Sequence, residues 1–288
     1  MPNSRPCLVC FVDIAGADYV ARVLNGMRGP LQAAAWDVKV VEAGGLTWGA
    51  RMALLQKESL SAGIAAAAFV HLHLTNEQKE LFQAAHLPLG YLGGVAERVH
   101  CVADDGFEGA VMAVRYLVGL GHHRIGFLIG DRLVTEARDR EAGIRTALFE
   151  AGQGELAKTL LMTRRVKPAL EEEGRVAALE LLSAADRPSA LFCAAGDLVA
   201  AGAYAAAKQL GLRIPQDLSV LGYDDLPLAA ALEPPLSTLH QPLEAMGATL
   251  AGHLIRAAAA NIPAQAHVEL VKPRLELRQS CAAPDQMG

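Results

Sequence analysis

Few side chains in this sequence stand in a pattern that does chemistry by itself. Cys7 and Cys10 form a C-x-x-C pair, His71 and His73 stand two apart, and Asp13, Tyr19 and Asp224 flank the ends of strand-like runs. A redox C-x-x-C needs its first thiol at a helix N-terminus, where the thiolate is favoured. Here both cysteines fall on or beside Leu8–Asp13, which reads as a strand. Three residues of strand separate two Cα atoms by about 10 Å and turn the side chains to opposite faces. A disulfide needs them within about 7 Å. The pair therefore reads as core cysteines. His71 and His73 share a strand face by the period-two rule. Two imidazoles make half a metal site, and no third ligand is evident, so they read as pocket wall, surface or packing before metal.

Several familiar chemistries are absent. No Lys follows a Gly, so there is no Walker-type phosphate loop. Gly119-Leu120-Gly121 ends a helix and lacks the third glycine of a dinucleotide fingerprint. No Ser has the flanking glycines of a nucleophile elbow. No His is followed by Glu, which excludes the zinc-protease helix. Neither a metal nor a cofactor is expected, and an enzyme is not the favoured reading.

The elements that must position any site alternate along the chain. Strands are expected at Leu8–Asp13, Val38–Val41, Ala66–Leu72, Pro88–Leu92 and Val99–Val102, with helices at Tyr19–Ala35, Ala50–Ser61 and Glu77–Ala85. A helical pattern from Phe107 to Val118 follows, stopped by Gly119 and Gly121. The rhythm restarts with strands Arg124–Ile129, Thr159–Met162, Ala190–Ala194 and Leu218–Tyr223. Helices Glu136–Ala151, Glu171–Ser183 and Leu198–Leu210 alternate with them, then one from Leu243 to Leu254, and Val268–Leu277 alternates as a strand. Such alternation gives parallel sheets covered on both faces, with ligands beyond the carboxyl ends of the strands. There are too many strands for one core, so the fold class is α/β with two doubly wound lobes. One of His122 and His123, after a helix-ending glycine, is expected to cap last-turn carbonyls.

The chain has 288 residues, 52% hydrophobic and 20% charged, with a net charge of −5 and five cysteines. That composition is globular. The longest apolar runs, such as Ile64–Val70, fall short of the roughly 18–20 residues that span a bilayer. Residues Met1–Pro6 have no signal-peptide pattern. An acidic balance disfavours a dedicated nucleic-acid surface, and few, odd-numbered cysteines disfavour a disulfide framework. A soluble, cytoplasmic protein of a reducing compartment is expected.

A series of motifs then runs in order: Gly121-His122-His123-Arg124-Ile125-Gly126, Arg187-Pro188-Ser189-Ala190-Leu191-Phe192-Cys193 ending at Asp197, Gly211–Asp225, Pro235-Leu236-Ser237-Thr238, and Pro273–Ser280. Together they resemble the effector-binding region of LacI/GalR-type bacterial transcriptional regulators, from about Leu8 to Cys281. The resemblance implies a periplasmic-binding-protein-like fold, with two lobes, three crossovers and a ligand cleft between them. It places an extension at residues 1–7, the first lobe at 8–103 plus 242–268, the second at 104–241 plus 269–283, and a tail at 284–288. It also implies a homodimer that binds a small sugar, nucleobase or related metabolite. The apolar helix Leu198–Leu210 would supply part of the subunit interface. Regulators of this kind reach operator DNA through a headpiece of about sixty residues, for which the seven residues before Leu8 are expected to leave no room. The rival reading is the solute-binding protein of a sugar transporter without its signal peptide.

Arg140 stands three residues before Gly143 and matches the family's Arg-x-x-Gly, so the resemblance makes it an effector contact. A guanidinium presents a planar fork of donors to paired hydroxyls or a carboxylate. Arg138 has the same chemistry. Asp224 ends a strand at its carboxyl edge, and a carboxylate accepts from two hydroxyls at once. Asp225 beside it is expected to cap, as is Asp197. Asp104 lies at the first crossover and serves either a ligand or the helix of Phe107. Asp13 and Tyr19 flank the first strand-to-helix loop, where an aromatic face can stack on a ligand ring. His71 completes the expected effector-binding set. The residue before Asp197 is Gly196, where the family often has an asparagine that contacts ligand.

Overall fold

The computed structural model describes residues 5–13, 17–72, 74–131, 135–152, 163–166, 170–260 and 267–284. The chain divides into two compact units, Met1–Asp104 with Pro242–Val271 and Asp105–Gln241 with Lys272–Gly288.

The first unit contains β1 (Cys7–Val12), α1 (Ala17–Ala33), β2 (Asp37–Glu42), α2 (Trp48–Ser59), β3 (Ile64–Val70), α3 (Asn76–Ala84), β4 (Leu89–Leu92) and β5 (His100–Asp104). Its sheet runs β11-β5-β4-β3-β1-β2, all parallel, where β11 is Val268–Val271. The central strands read as unbroken apolar runs because both faces are covered. Leu8–Phe11 and Ala66–Val70 have no exposed surface. Phe11, Phe69 and Phe82 form the centre of one face, with ring centroids 5.2–5.8 Å apart.

The second unit contains α4 (Gly106–Gly119), β6 (Ile125–Ile129), α5 (Thr135–Glu150), β7 (Thr163–Arg165), α6 (Glu171–Leu182), β8 (Ala190–Phe192) and α7 (Asp197–Gln209). It continues with β9 (Ser219–Asp224), α8 (Pro227–Ala231) and β10 (Ser237–His240), and receives β12 (Arg274–Glu276) from the far end of the chain. The long helix α9 (Leu243–Ala260) belongs to the first unit. The second sheet runs β12-β10-β9-β8-β6-β7, parallel except for the antiparallel β10–β12 pair. Phe127, Phe192 and Tyr223 fill one face, and Leu128, Leu191 and Val220 the other.

Several expectations are corrected. The alternation Val268–Leu277 is two strands in two sheets. Pro273 has no N–H to give a ladder, and the chain leaves the first sheet at that point. Glu269, Leu270 and Val271 therefore fall in the first unit, as does Asp104, all of which had been expected in the second. The strand expected at Thr159–Met162 lies outside the described residues. β7, β10 and α8 were not anticipated. The apolar surface of α7 is consumed within its own unit: Val199, Ala203, Ala206 and Ala207 are at most 1% exposed. The Tyr204 hydroxyl donates to the Pro234 carbonyl at 2.8 Å. Leu210, just past the C-terminus of α7, is 38% exposed. Cys7 and Cys10 lie on β1 as free thiols, as expected.

Helices touch through glycine at the tightest points. A Cβ on Gly26 of α1 would sit 1.8 Å from the Glu244 carbonyl oxygen of α9, and one on Gly247 would sit 2.2 Å from that of Val23. Arg22 clamps the same crossing with a two-pronged ion pair to Glu244 at 2.8 and 2.9 Å. Backbone cannot yield as a flexible side chain would. Gly26→Ala or Gly247→Ala should therefore destabilise the protein by about 1–3 kcal/mol. Gly29→Ala on the same helix, where nothing lies within 4 Å, should be neutral or stabilising. Urea unfolding midpoints compare the three.

Candidate functional site

The second sheet presents its charged residues at the carboxyl edge. Asp197, at the first turn of α7, has no exposed surface. Its Oδ2 accepts from the Leu226 N–H at 2.8 Å, and its Oδ1 from the Thr238 hydroxyl at 2.7 Å. The carboxylate thus ties α7 to the chain after β9 and to β10. Gly196 is the N-cap residue, so Asp197 is a cross-strand clamp and not the expected cap. Burial, reinforced by the nearby Asp224 charge, pushes the Asp197 carboxyl well above the ordinary range.

Asp224 ends β9 with φ at +106°, a left-handed conformation that is uncommon outside glycine. Its Oδ1 accepts from Gln241 Nε2 at 2.6 Å. A Cβ on Gly196 would lie 2.7 Å from its Oδ2, so glycine there gives the carboxylate its room. Arg140, on α5, is 9% exposed. Its guanidinium lies 3.6 Å from the Tyr223 ring centre, and Nη1 donates to the Ala194 carbonyl at 2.7 Å. Stacking and that bond fix the plane of the fork. Arg140 and Asp224 are thus both held around Tyr223. Arg138 is not brought to them: it is exposed, and positions two apart on a helix do not share a face.

Asp225 is also no cap. Its carboxylate takes His240 Nδ1 at 2.7 Å and Arg278 Nη2 at 2.6 Å, joining β10 to the chain after β12. The first-turn donors of α8 receive no side-chain cap from the preceding Leu226. His122 binds Ser189 Oγ, Ser219 Oγ and the Ala282 carbonyl at 2.8, 3.0 and 2.9 Å. The last turn of α4 is closed by the His122 backbone N–H on the Leu117 carbonyl, so the imidazole is free for that anchoring. Burial lowers its pKa.

The first unit shows a second set at its own carboxyl edge. Asp13 follows β1 and His71 follows β3, with His71 at φ +53°. The Tyr19 and His71 ring centres lie 5.2 Å apart, tilted by 45°. Burial pulls the His71 pKa down, while the charge of Asp13 opposes that shift. His71 Nδ1 is buried with no hydrogen-bond partner among the described residues. Asp104 ends β5 and is 6% exposed. The cap of α4 is its neighbour Asp105, which accepts from the Glu108 N–H at 3.1 Å. His73 lies outside the described residues. Gln241 was missed because β10 before it is rich in buried polar residues and carries no apolar alternation.

Comparison with known proteins agrees with this architecture. Residues 114–281 match the family of periplasmic binding protein-like domains. The chain is 37% identical, over 187 residues, to the HTH-type transcriptional repressor PurR of Shigella dysenteriae serotype 1. That match covers 65% of this chain and 53% of the repressor, so the chain spans about half the length of the curated relatives it matches. A cellobiose complex of the transcriptional regulator CelR superposes with a TM-score of 0.84 at 24% identity, over 97% of this chain and 86% of that one. A ribose-bound LacI family regulator from Enterococcus faecalis gives 0.82 at 19% identity, over 96% and 99%. The chain belongs to the family of periplasmic binding protein-like domains. The LacI/GalR-type resemblance read from its motifs is borne out.

Asp197→Ala should leave the Leu226 N–H and the Thr238 hydroxyl without acceptors, at about 1–3 kcal/mol each. Asp197→Asn separates charge from shape. The folded chain holds the Asp197 proton more tightly than the unfolded chain, so its contribution to stability falls as pH rises from the ordinary carboxylate range through the raised value. Asparagine does not titrate there. The stability of Asp197→Asn relative to the parent should therefore rise with pH, as denaturant midpoints from about pH 4 to pH 8 would show.

Proposed function

We propose that this chain is the ligand-sensing region of a LacI/GalR-type transcriptional regulator and binds a small sugar or related metabolite. The observation that carries the reading is the Arg140 guanidinium, buried and stacked at 3.6 Å on Tyr223, the residue before the carboxylate that ends β9. A buried, oriented fork beside a carboxylate in left-handed backbone is poised for a polyhydroxylated or carboxylated ligand. Strain of that kind persists where the surroundings over-determine it, often at binding sites. Arg140, Asp224 and Gln241 are the second unit's contacts. Asp13, Tyr19, His71 and Asp104 form the candidate set of the first unit taken by itself, with Tyr19 as its stacking surface. The sugar complexes of CelR and of the Enterococcus regulator support the ligand class. The repressor names of the relatives support sensing over catalysis. The response would be a shift between states of different ligand affinity, carried in a homodimer.

Thermal-shift screening against ribose, cellobiose and free nucleobases identifies a ligand, and calorimetry then reads the variants. Arg140→Ala or Asp224→Ala should weaken binding about 10- to 150-fold, the equivalent of a charge-assisted bond of about 1.5–3 kcal/mol. Arg138→Ala should leave affinity unchanged. Unaltered affinity in both of the first two variants would refute the site. Sedimentation at micromolar concentration checks the dimer.

A further inference from the structure

Away from the carboxyl edges, the first unit gathers three imidazoles and a carboxylate where α9 meets β11. The parallel register pairs Val268 with Cys101, and the Cys101 N–H donates to the His267 carbonyl at 2.8 Å. That pairing brings His267 beside the start of β5, where His100 stands. His253 projects from α9 between them. Its ring centre is 6.0 Å from His100, nearly parallel, and 4.7 Å from His267. Glu269, on β11, accepts from His253 Nε2 at 3.2 Å. Ligand atoms of His253, His267 and Glu269 all lie within 4.8 Å of one another.

We propose that His253, His267 and Glu269 bind a divalent transition-metal ion of the zinc class, with water in the fourth position. Two imidazoles and one carboxylate with an open position form a recurrent zinc donor set. Imidazole favours zinc, nickel and copper over magnesium and calcium. Tetrahedral ligation at about 2.0–2.2 Å puts ligand atoms roughly 3.3 Å apart, and His253 Nε2 and Glu269 already stand at 3.2 Å. His100 is 8% exposed, with its Nδ1 buried and without a hydrogen-bond partner. It backs the cluster on the inner side. A metal here would strap the edge strand β11 to α9.

The proton on His253 can be placed. Arg256 Nη2 donates to His253 Nδ1 at 3.0 Å, so Nδ1 accepts and Nε2 carries the hydrogen given to Glu269. Metal ligation at Nε2 requires that proton to move, through water, to Nδ1. Arg256 must then withdraw. The arginine therefore opposes the metal, both by its charge and by the tautomer it selects. Glutamine at 256 offers an oxygen that can accept from Nδ1–H, the outer partner that metal-bound histidines usually have.

The test uses cobalt(II) as probe on the chain without a histidine tag, with zinc(II) as competitor. One equivalent should bind with visible ligand-field absorption and no thiolate charge-transfer band, and zinc should displace it. His267→Ala, at an exposed position, and Glu269→Ala should each weaken binding by at least about 100-fold, beyond the usual cost of losing an outer-shell partner. Arg256→Gln should tighten it by roughly 10-fold. Circular dichroism verifies that the variants fold. No saturable binding, affinity unchanged in His267→Ala, a thiolate band from the cysteines, or weaker binding in Arg256→Gln would each overturn the proposal.

Discussion

A carboxylate sealed from water organises the carboxyl edge of the second sheet. Asp197 holds the chain after β9 through the Leu226 N–H, and holds β10 through Thr238. Its neighbours are shaped around it. A Cβ on Gly222 would lie 2.3 Å from Asp197 Oδ1, so β9 passes only as glycine there. Gly196, the residue before Asp197, leaves space that the Asp224 carboxylate occupies. Two carboxylates are thereby brought close in a poorly solvated place, which is costly unless one is protonated or both are well supplied with donors. Thr238, Leu226 and Gln241 supply them. Asp224 and Asp225, both at positive φ, form the turn that leaves β9 at this point.

The layers of the fold were plain in the sequence because central strands of parallel sheets are apolar on both faces. β1, β3 and β6 announce themselves this way. The polar strands did not. Ser237 and Thr238 of β10 are fully buried yet hydrogen-bonded, and no periodicity reveals a partner 41 residues away. Val268–Leu277 kept its alternation across Pro273, so one pattern served two sheets. The arginines of α5 are alike in composition. Only the motif Arg-x-x-Gly singled out Arg140, and only the fold shows why: Tyr223 takes its face. Asp197, Asp225 and His122 were read locally, as caps, because capping is the commonest local use of those side chains. Each instead reaches across the sheet to residues distant in sequence.

The family match begins at residue 114. Arg140, Asp224 and Gln241 fall inside it, whereas Asp13, Tyr19, His71 and Asp104 fall before it. The likeness to known domains thus bears most directly on the second unit's half of the candidate set. In the first unit the argument rests on placement: an aromatic ring, a neutral-leaning imidazole and two carboxylates at the ends of β1, β3 and β5. The histidine cluster of α9 and β11 lies away from those carboxyl strand ends, at the start of β5 and β11.

Backbone contact between helices recurs in both units. A Cβ on Gly143 of α5 would meet the Phe107 carbonyl of α4 at 2.3 Å, and one on Gly202 of α7 would meet that of Glu171 in α6 at 2.0 Å. Sliding of one packed helix past another works by small side-chain adjustments across the seam. At the closest points of these crossings the nearest atoms belong to backbone. Each helix pair must travel as a single stave with the sheet beneath it. Within each unit, deformation is then confined to the short turns beyond the strand ends.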